Sequence, residues 1–128
     1  MKPQGLPRAL RLKRRREFLR VQKGGRKQHT RHFLVFVRRR DDDGPTRLGI
    51  TITRKVCNAV GRNRIKRLVR EAFRRARSTM PGGYDLVWIA KRDAAAVAYA
   101  DVVTAVDQVA THLRRVGAPA RPARGAGR

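Results

Sequence analysis

Between Ala59 and Arg77 the residues Ile65, Leu68, Val69, Ala72, Phe73 and Ala76 recur at spacings of 3, 4, 7, 8 and 11, which draws one apolar stripe along a helix. At about 100° per residue, Arg62, Asn63, Lys66, Arg67, Arg70, Arg74 and Arg77 share an arc of about 140° away from that stripe. A helix divided in this way has one stable seating. The stripe goes against a core and the cations go to solvent. Asn58 stands where its side-chain oxygen can cap the first turn.

The remaining chain has to supply the surface that buries the stripe. Phe33 to Val37 is rich in β-branched and aromatic residues and reads as a strand. Asp41-Asp42-Asp43-Gly44-Pro45 makes a turn, and Leu48, Ile50 and Ile52 then alternate with small or polar residues as a half-buried strand. These two runs are expected to pair as an antiparallel hairpin. After a break at Pro81-Gly82-Gly83, Tyr84 to Ala90 is a nearly continuous apolar strand. Two further helices flank this region. Leu10 to Lys23 offers an apolar edge of Phe18, Leu19 and Val21, with Gly24-Gly25 as a stop in the left-handed C-terminal position. Tyr99, Val102, Val103, Val106, Ala110 and Leu113 repeat as a final helix whose valines make it dependent on packing. The order implies an α+β sandwich with helices on one sheet face. At 128 residues this is one domain, expected over 10–116, with a flexible start at 1–9 and a disordered Gly/Ala/Pro/Arg tail at 117–128.

Charge narrows the partner. The chain carries 33 Lys and Arg against 9 Asp and Glu, a formal net charge of +24. Self-repulsion on that scale works against a compact state, so a polyanion is expected to neutralise it, and nucleic acid gains further from counterion release. Residues 1–40 hold 15 Lys and Arg against Glu17 alone, and residues 54–77 hold 10 against Glu71 alone. Two basic blocks imply one RNA face assembled from two places. Arginine suits phosphate because its planar fork donates two hydrogen bonds and stays charged. Asn63 among the arginines can reach a base edge, a 2′-hydroxyl or a hydrated metal ion.

Phe18, Phe33 and Phe36 lie in or near the first basic block, where unpaired bases can stack on rings while cations track the backbone. Phe33 and Phe36 are three apart on one strand, so they point to opposite faces, one to core and one to surface. Phe73 and Trp88 read as core. A protein-based active site is not indicated. The acids cluster only at Asp41-Asp42-Asp43, which reads as a solvated turn, and His29, His32 and His112 are scattered. Cys57 has neither the zinc spacing nor a disulfide partner, and a single thiol fits a reducing cytoplasm. There is no Gly-rich phosphate loop, no apolar run long enough to span a membrane and no secretory signal pattern.

The run Arg54-Lys55-Val56-Cys57-Asn58-Ala59-Val60-Gly61-Arg62-Asn63-Arg64-Ile65-Lys66-Arg67-Leu68-Val69-Arg70-Glu71 resembles the signature of the bacterial ribonuclease P protein component. Arg16-Glu17-Phe18, Leu48-Gly49-Ile50-Thr51 and Ile89-Ala90-Lys91 extend the resemblance over roughly residues 10–115. It implies a two-layer α-β sandwich in the order αβββαβα, with a left-handed β-α-β crossover as in ribosomal-protein-like folds. It also implies an endoribonuclease in which a catalytic RNA, using Mg²⁺, removes the 5′ leader of precursor tRNA. The protein's partners would be that RNA and precursor tRNA, with no membrane and no obligate protein partner. By position, Arg54, Lys55, Arg62, Asn63, Arg64, Lys66, Arg67, Arg70 and Arg74 would bind RNA, and none would be catalytic or hold a metal. Phe18, Phe36 and Lys91 would belong to a leader cleft between the arginine-rich helix and the sheet. Two departures stand out. Gln22 occupies a position where an aromatic is common, so that stacking contact is not carried over, and Cys57 replaces a usual glycine at the turn into the helix. Without the resemblance, composition alone favours a ribosomal or other structural RNA-binding protein.

Overall fold

The computed structural model describes residues 6–40 and 42–120. Helix α1 (Arg15–Gly24) precedes strands β1 (Arg26–His29), β2 (Phe33–Arg39) and β3 (Arg47–Thr51), and helix α2 (Ala59–Ala76), strand β4 (Tyr84–Ala90) and helix α3 (Tyr99–Ala120) complete the order αβββαβα. The strands form one mixed sheet in the order β1-β2-β4-β3. β2 runs antiparallel to both β1 and β4, while β3 runs parallel to β4, with α2 as the crossover between them.

The expected β2–β3 hairpin is therefore absent, because β4 lies between the two strands. Its apolar run explains this. Tyr84, Leu86, Trp88 and Ala90 join the core beneath α2 and α3, and Val87 joins a second core on the opposite face with Ile89 packed against it. A strand covered on both faces belongs in the middle of a sheet. The alternation of Leu48, Ile50 and Ile52 fixes which face of β3 is buried. It does not choose the neighbour. Polar β1 (Arg-Lys-Gln-His) takes the outer edge, where charge discourages further pairing.

Helices occupy both faces of the sheet, which corrects the one-face expectation. Ile65, Val69, Ala72 and Phe73 of α2 and Val102, Val106, Val109 and Leu113 of α3 pack with Phe33, Val35, Leu48, Leu86 and Trp88. Phe33 and Trp88 meet edge to face at 5.2 Å between ring centroids. On the other face Val21 of α1 closes over Phe36, Val87 and Leu12, with Phe18 and Leu34 packed against them.

Both ends of the expected domain move. Leu6 is fully buried and Leu10 nearly so, so the ordered structure starts inside the stretch 1–9 expected to be flexible. Leu10–Leu12 is not the start of α1. It lies along the edge of β3, with Leu12 N–H donating to the Leu48 carbonyl at 2.9 Å, and it carries the chain from one core to the other. At the other end α3 runs to Ala120, four residues into the expected tail, and residues 121–128 lie outside the described chain, as do residues 1–5. Gly25 ends α1 at φ −96°, in extended rather than left-handed backbone. Glycine is needed there for space, since a Cβ would stand 2.5 Å from the Val21 carbonyl oxygen and 2.8 Å from that of Val37.

One buried acid ties these parts together. Asp85 on β4, only 3% exposed, accepts from Arg40 Nη1 at 2.8 Å and from Arg47 Nε and Nη2 at 2.9 Å each. Arg47 also stands 3.7 Å from Glu17, whose other oxygen accepts from the backbone N–H groups of Lys13 and Arg14 and so caps α1. Burial pushes the Asp85 carboxyl up, but the Arg47 and Arg40 guanidiniums outweigh it and hold it below the usual range. Asp85→Ala should cost about 3 kcal/mol in urea unfolding near neutral pH, because it strands two cations. Asp85 has the lower pKa in the folded state, so its contribution is full above about pH 4 and is lost as pH falls below that. The gap between wild type and Asp85→Asn should therefore narrow on acidification, and a constant gap would contradict the pairing.

Candidate nucleic-acid interface

The first turn of α2 is built by local chemistry. Asn58 Oδ1 accepts from the Gly61 N–H at 2.9 Å, as its capping position implied. Cys57 and Gly61 fit each other, for a Cβ on residue 61 would stand 2.9 Å from the Cys57 sulfur. The thiol that departs from the usual glycine is accommodated by a glycine one turn later. Arg62 Nη1 donates to the Cys57 carbonyl at 3.0 Å, which holds its guanidinium at the head of the helix. Val60 beside it is 78% exposed, an apolar contact offered to whatever docks there.

Along the arc, Asn63 and Arg67 are exposed and Lys66 and Arg70 half-buried, and none of the four has a protein partner among the described residues. Arg54 and Lys55 are exposed in the turn that leads into α2. Burial lowers the pKa of Arg70, and the charge of Arg11 lowers it further. Two cations held near each other with no acid between them favour an anion there. Arg11 was not singled out from sequence, because it comes to the helix only through the edge pairing of Leu10–Leu12 with β3.

Besides Arg62, two more arginines of the expected set are engaged within the protein. Arg64 sits on the flank of α2 and its Nη2 donates to the Val97 carbonyl at 2.6 Å, which ties α2 to the loop before α3. Arg74 forms a two-pronged pair with Glu71 at 2.8 and 3.1 Å, and Arg75 shares the same carboxylate at 2.6 Å. These bonds from Arg74 and Arg75 hold the Glu71 carboxyl down at about 2. Glu71 lies off the arc, yet its side chain reaches Arg74 three residues on.

Phe18 and Phe36 lie on the other face of the sheet. Phe33 and Phe36 point to opposite faces, as their odd spacing required. Phe36, however, enters the second core and not the surface, because Val21 and Leu12 cover that face too. Phe36 is 9% exposed, with the Lys27 ammonium 5.9 Å from its ring centroid. Phe18 is half-buried and lies over Gly49, where a Cβ would stand 2.7 Å from the ring. Here glycine is what lets the ring rest on β3. Gln22, one turn on, is half-buried. Lys91 Nζ donates to the Thr30 carbonyl at 2.7 Å, so it braces the turn before β2. The cleft expected between α2 and the sheet is not there, since Ile65, Val69, Ala72 and Phe73 fill that space. The face that carries Phe18, Phe36 and Lys27 is across the sheet. Lys27 escaped notice because β1 has no apolar alternation to mark it as a strand.

This arrangement can bind and orient polyanions. Among the described residues no three of His, Cys, Asp and Glu converge as metal ligands would, and no described helix is long and apolar enough to cross a membrane.

Known proteins with similar sequences and structures agree with one another. A family model described as Ribonuclease P matches residues 6–114. The ribonuclease P protein component of Syntrophus aciditrophicus is 43% identical over 102 residues, covering 80% of this chain and 85% of that protein. That of Desulfovibrio desulfuricans is 49% identical over 100 residues, covering 76% and 77%. The solved RNase P protein from Thermotoga maritima superposes with a TM-score of 0.72 at 34% identity, over 80% of this chain and 96% of that one.

The pairing pattern ranks the arginines. Arg67→Ala should weaken RNA binding and flatten the slope of log affinity against log salt by about 0.7–0.9, one phosphate's share. Arg74→Ala should change the slope less, because Glu71 already offsets that charge, and Glu71→Gln should tighten binding. Equal slopes for Arg67→Ala and wild type would remove Arg67 from the interface.

Proposed function

The chain belongs to the ribonuclease P protein family, and from that membership we propose that it serves a catalytic RNA by presenting two separate binding faces. As the protein component of ribonuclease P it is part of an endoribonuclease that processes tRNA. The outer arc of α2, with Asn63, Lys66, Arg67 and Arg70, meets the catalytic RNA, with Arg54 and Lys55 extending that contact. The face of Phe18, Phe36 and Lys27 receives the 5′ leader of precursor tRNA, an unpaired strand that can lie along rings flanked by cations. Lys91 shapes the end of this face through Thr30.

The observation that carries this reading is the division of α2. Its apolar stripe is locked in the core while four outward polar or cationic side chains have no protein partner among the described residues. Cations held without acids are costly unless phosphate meets them. The protein's contribution is positional and electrostatic. It lowers the repulsion between two RNAs, and cleavage belongs to the RNA subunit. Mg²⁺ in this reading is held mainly by the RNA subunit. The work is placed in the cytoplasm, where the one thiol, Cys57, stays reduced.

Cleavage of precursor tRNA in low Mg²⁺ tests this directly. The protein alone should leave the substrate intact, and adding it to the RNA subunit should raise the rate of leader removal. Equal rates with and without the protein would overturn the assignment of its role. Cleavage by the protein alone would show a protein-based nuclease instead.

A further inference from the structure

A second group of cations lies far from α2. At the end of the sheet where β2 finishes and β4 begins, Arg26, Arg38 and Arg39 line a cavity of about 390 Å³ together with Tyr84, His112 and Leu113. No residue of α2 lines it, and neither Phe18 nor Phe36 does. The α2 helix opens near the other end of β4, where Arg64 reaches Val97.

Acids are supplied next to this cavity but not in it. Arg40 and Arg47, on the same end of the sheet, are neutralised by Asp42 and Asp85. Arg26, Arg38 and Arg39 have no carboxylate or hydrogen-bond partner among the described residues. Tyr84 supplies an independent observation. It is 3% exposed, and its hydroxyl has no hydrogen-bond partner among the described residues. A buried hydroxyl without a partner weakens a fold unless something else bonds to it. An anionic oxygen accepts from such a hydroxyl, and guanidiniums fork onto the remaining oxygens of the same group.

We propose that this cavity is a second phosphate-binding site, which takes backbone phosphates of an RNA strand independently of α2. Arg38 leaves β2 on the α1 face, against Gly24, and Arg39 leaves it on the opposite face beside Tyr84. Cations that straddle the end of a sheet suit successive phosphates along a strand better than one free ion. His112, on α3, adds a donor to the same wall.

Tyr84 and Tyr99 are the two tyrosines of the chain, so ¹³C-tyrosine labelling gives one reporter in the site and one outside it. Tyr84→Phe assigns the signals. The full chain is titrated with inorganic phosphate and, separately, with an oligouridylate. The Tyr84 ring signal should move saturably with the oligonucleotide at about a tenth or less of the phosphate concentration needed. The response should be lost in Arg26→Ala/Arg39→Ala and kept in Arg67→Ala. An unchanged Tyr99 signal in the variants reports an intact fold, and Arg39→Gln alone replaces the double variant if that signal changes. A Tyr84 signal that never moves, or that moves equally in Arg26→Ala/Arg39→Ala, overturns the site. A response to inorganic phosphate with no preference for the oligonucleotide makes it a free-anion site and overturns the RNA assignment.

Discussion

The seating of Ile65, Val69, Ala72 and Phe73 beneath the sheet decides everything that α2 can do. Burying Ile65, Val69 and Phe73 contributes about 1.5–3 kcal/mol each by leaving water, and the smaller Ala72 less. Together they fix the rotation of the helix about its axis. Once that rotation is set, Asn63, Lys66, Arg67 and Arg70 have nowhere to point but outward or to the flank. The RNA-facing array is thus a consequence of packing on the other side of the same helix. β4 makes this seating available because it is apolar on both faces and central, so α2 and α1 can each bury against it from opposite sides.

The second constraint is the shortage of acids. With 9 carboxylates against 33 Lys and Arg, their placement shows which cations are structural. Asp85 joins β2, β3 and β4 through Arg40 and Arg47, and Glu17 links that network to α1. Glu71 takes up Arg74 and Arg75 near the end of α2. Among the described residues, the cations without an acid include those on the outer arc of α2, Lys27 beside Phe36 and those around the Tyr84 cavity. A chain with this charge holds its folded core together with a handful of ion pairs and leaves the rest for a polyanion.

Periodicity made α2 legible from its sequence, including its stripe, its cap at Asn58 and its outer arc. The opposite orientations of Phe33 and Phe36 followed from their odd spacing on β2. Pairing was less accessible. The alternation in β3 marks a buried face without naming a neighbour, so β3 was matched with β2 rather than with β4. β1 has no apolar residue at all, and Leu10–Leu12 looked helical because its role as an edge partner of β3 depends on tertiary contact. The filling of the space between α2 and the sheet was hidden for the same reason. Nothing in the spacing of Phe18 and Phe36 says that α1 covers the sheet face opposite to α2. Arg64 and Arg74 read as RNA-facing by position because their partners, the Val97 carbonyl and Glu71, are met only in the folded geometry.

The central claim is that α2 and the Phe18–Phe36 face bind different RNAs. Site-directed cleavage by a tethered iron chelate tests it most directly. In a Cys57→Ser background, the chelate is attached through Arg67→Cys on α2 or through Lys27→Cys beside Phe36, and the holoenzyme is assembled with precursor tRNA. The chelate at position 67 should cut the catalytic RNA and the one at position 27 should cut the 5′ leader. Cuts in the same RNA from both positions, or the reverse assignment, would contradict it.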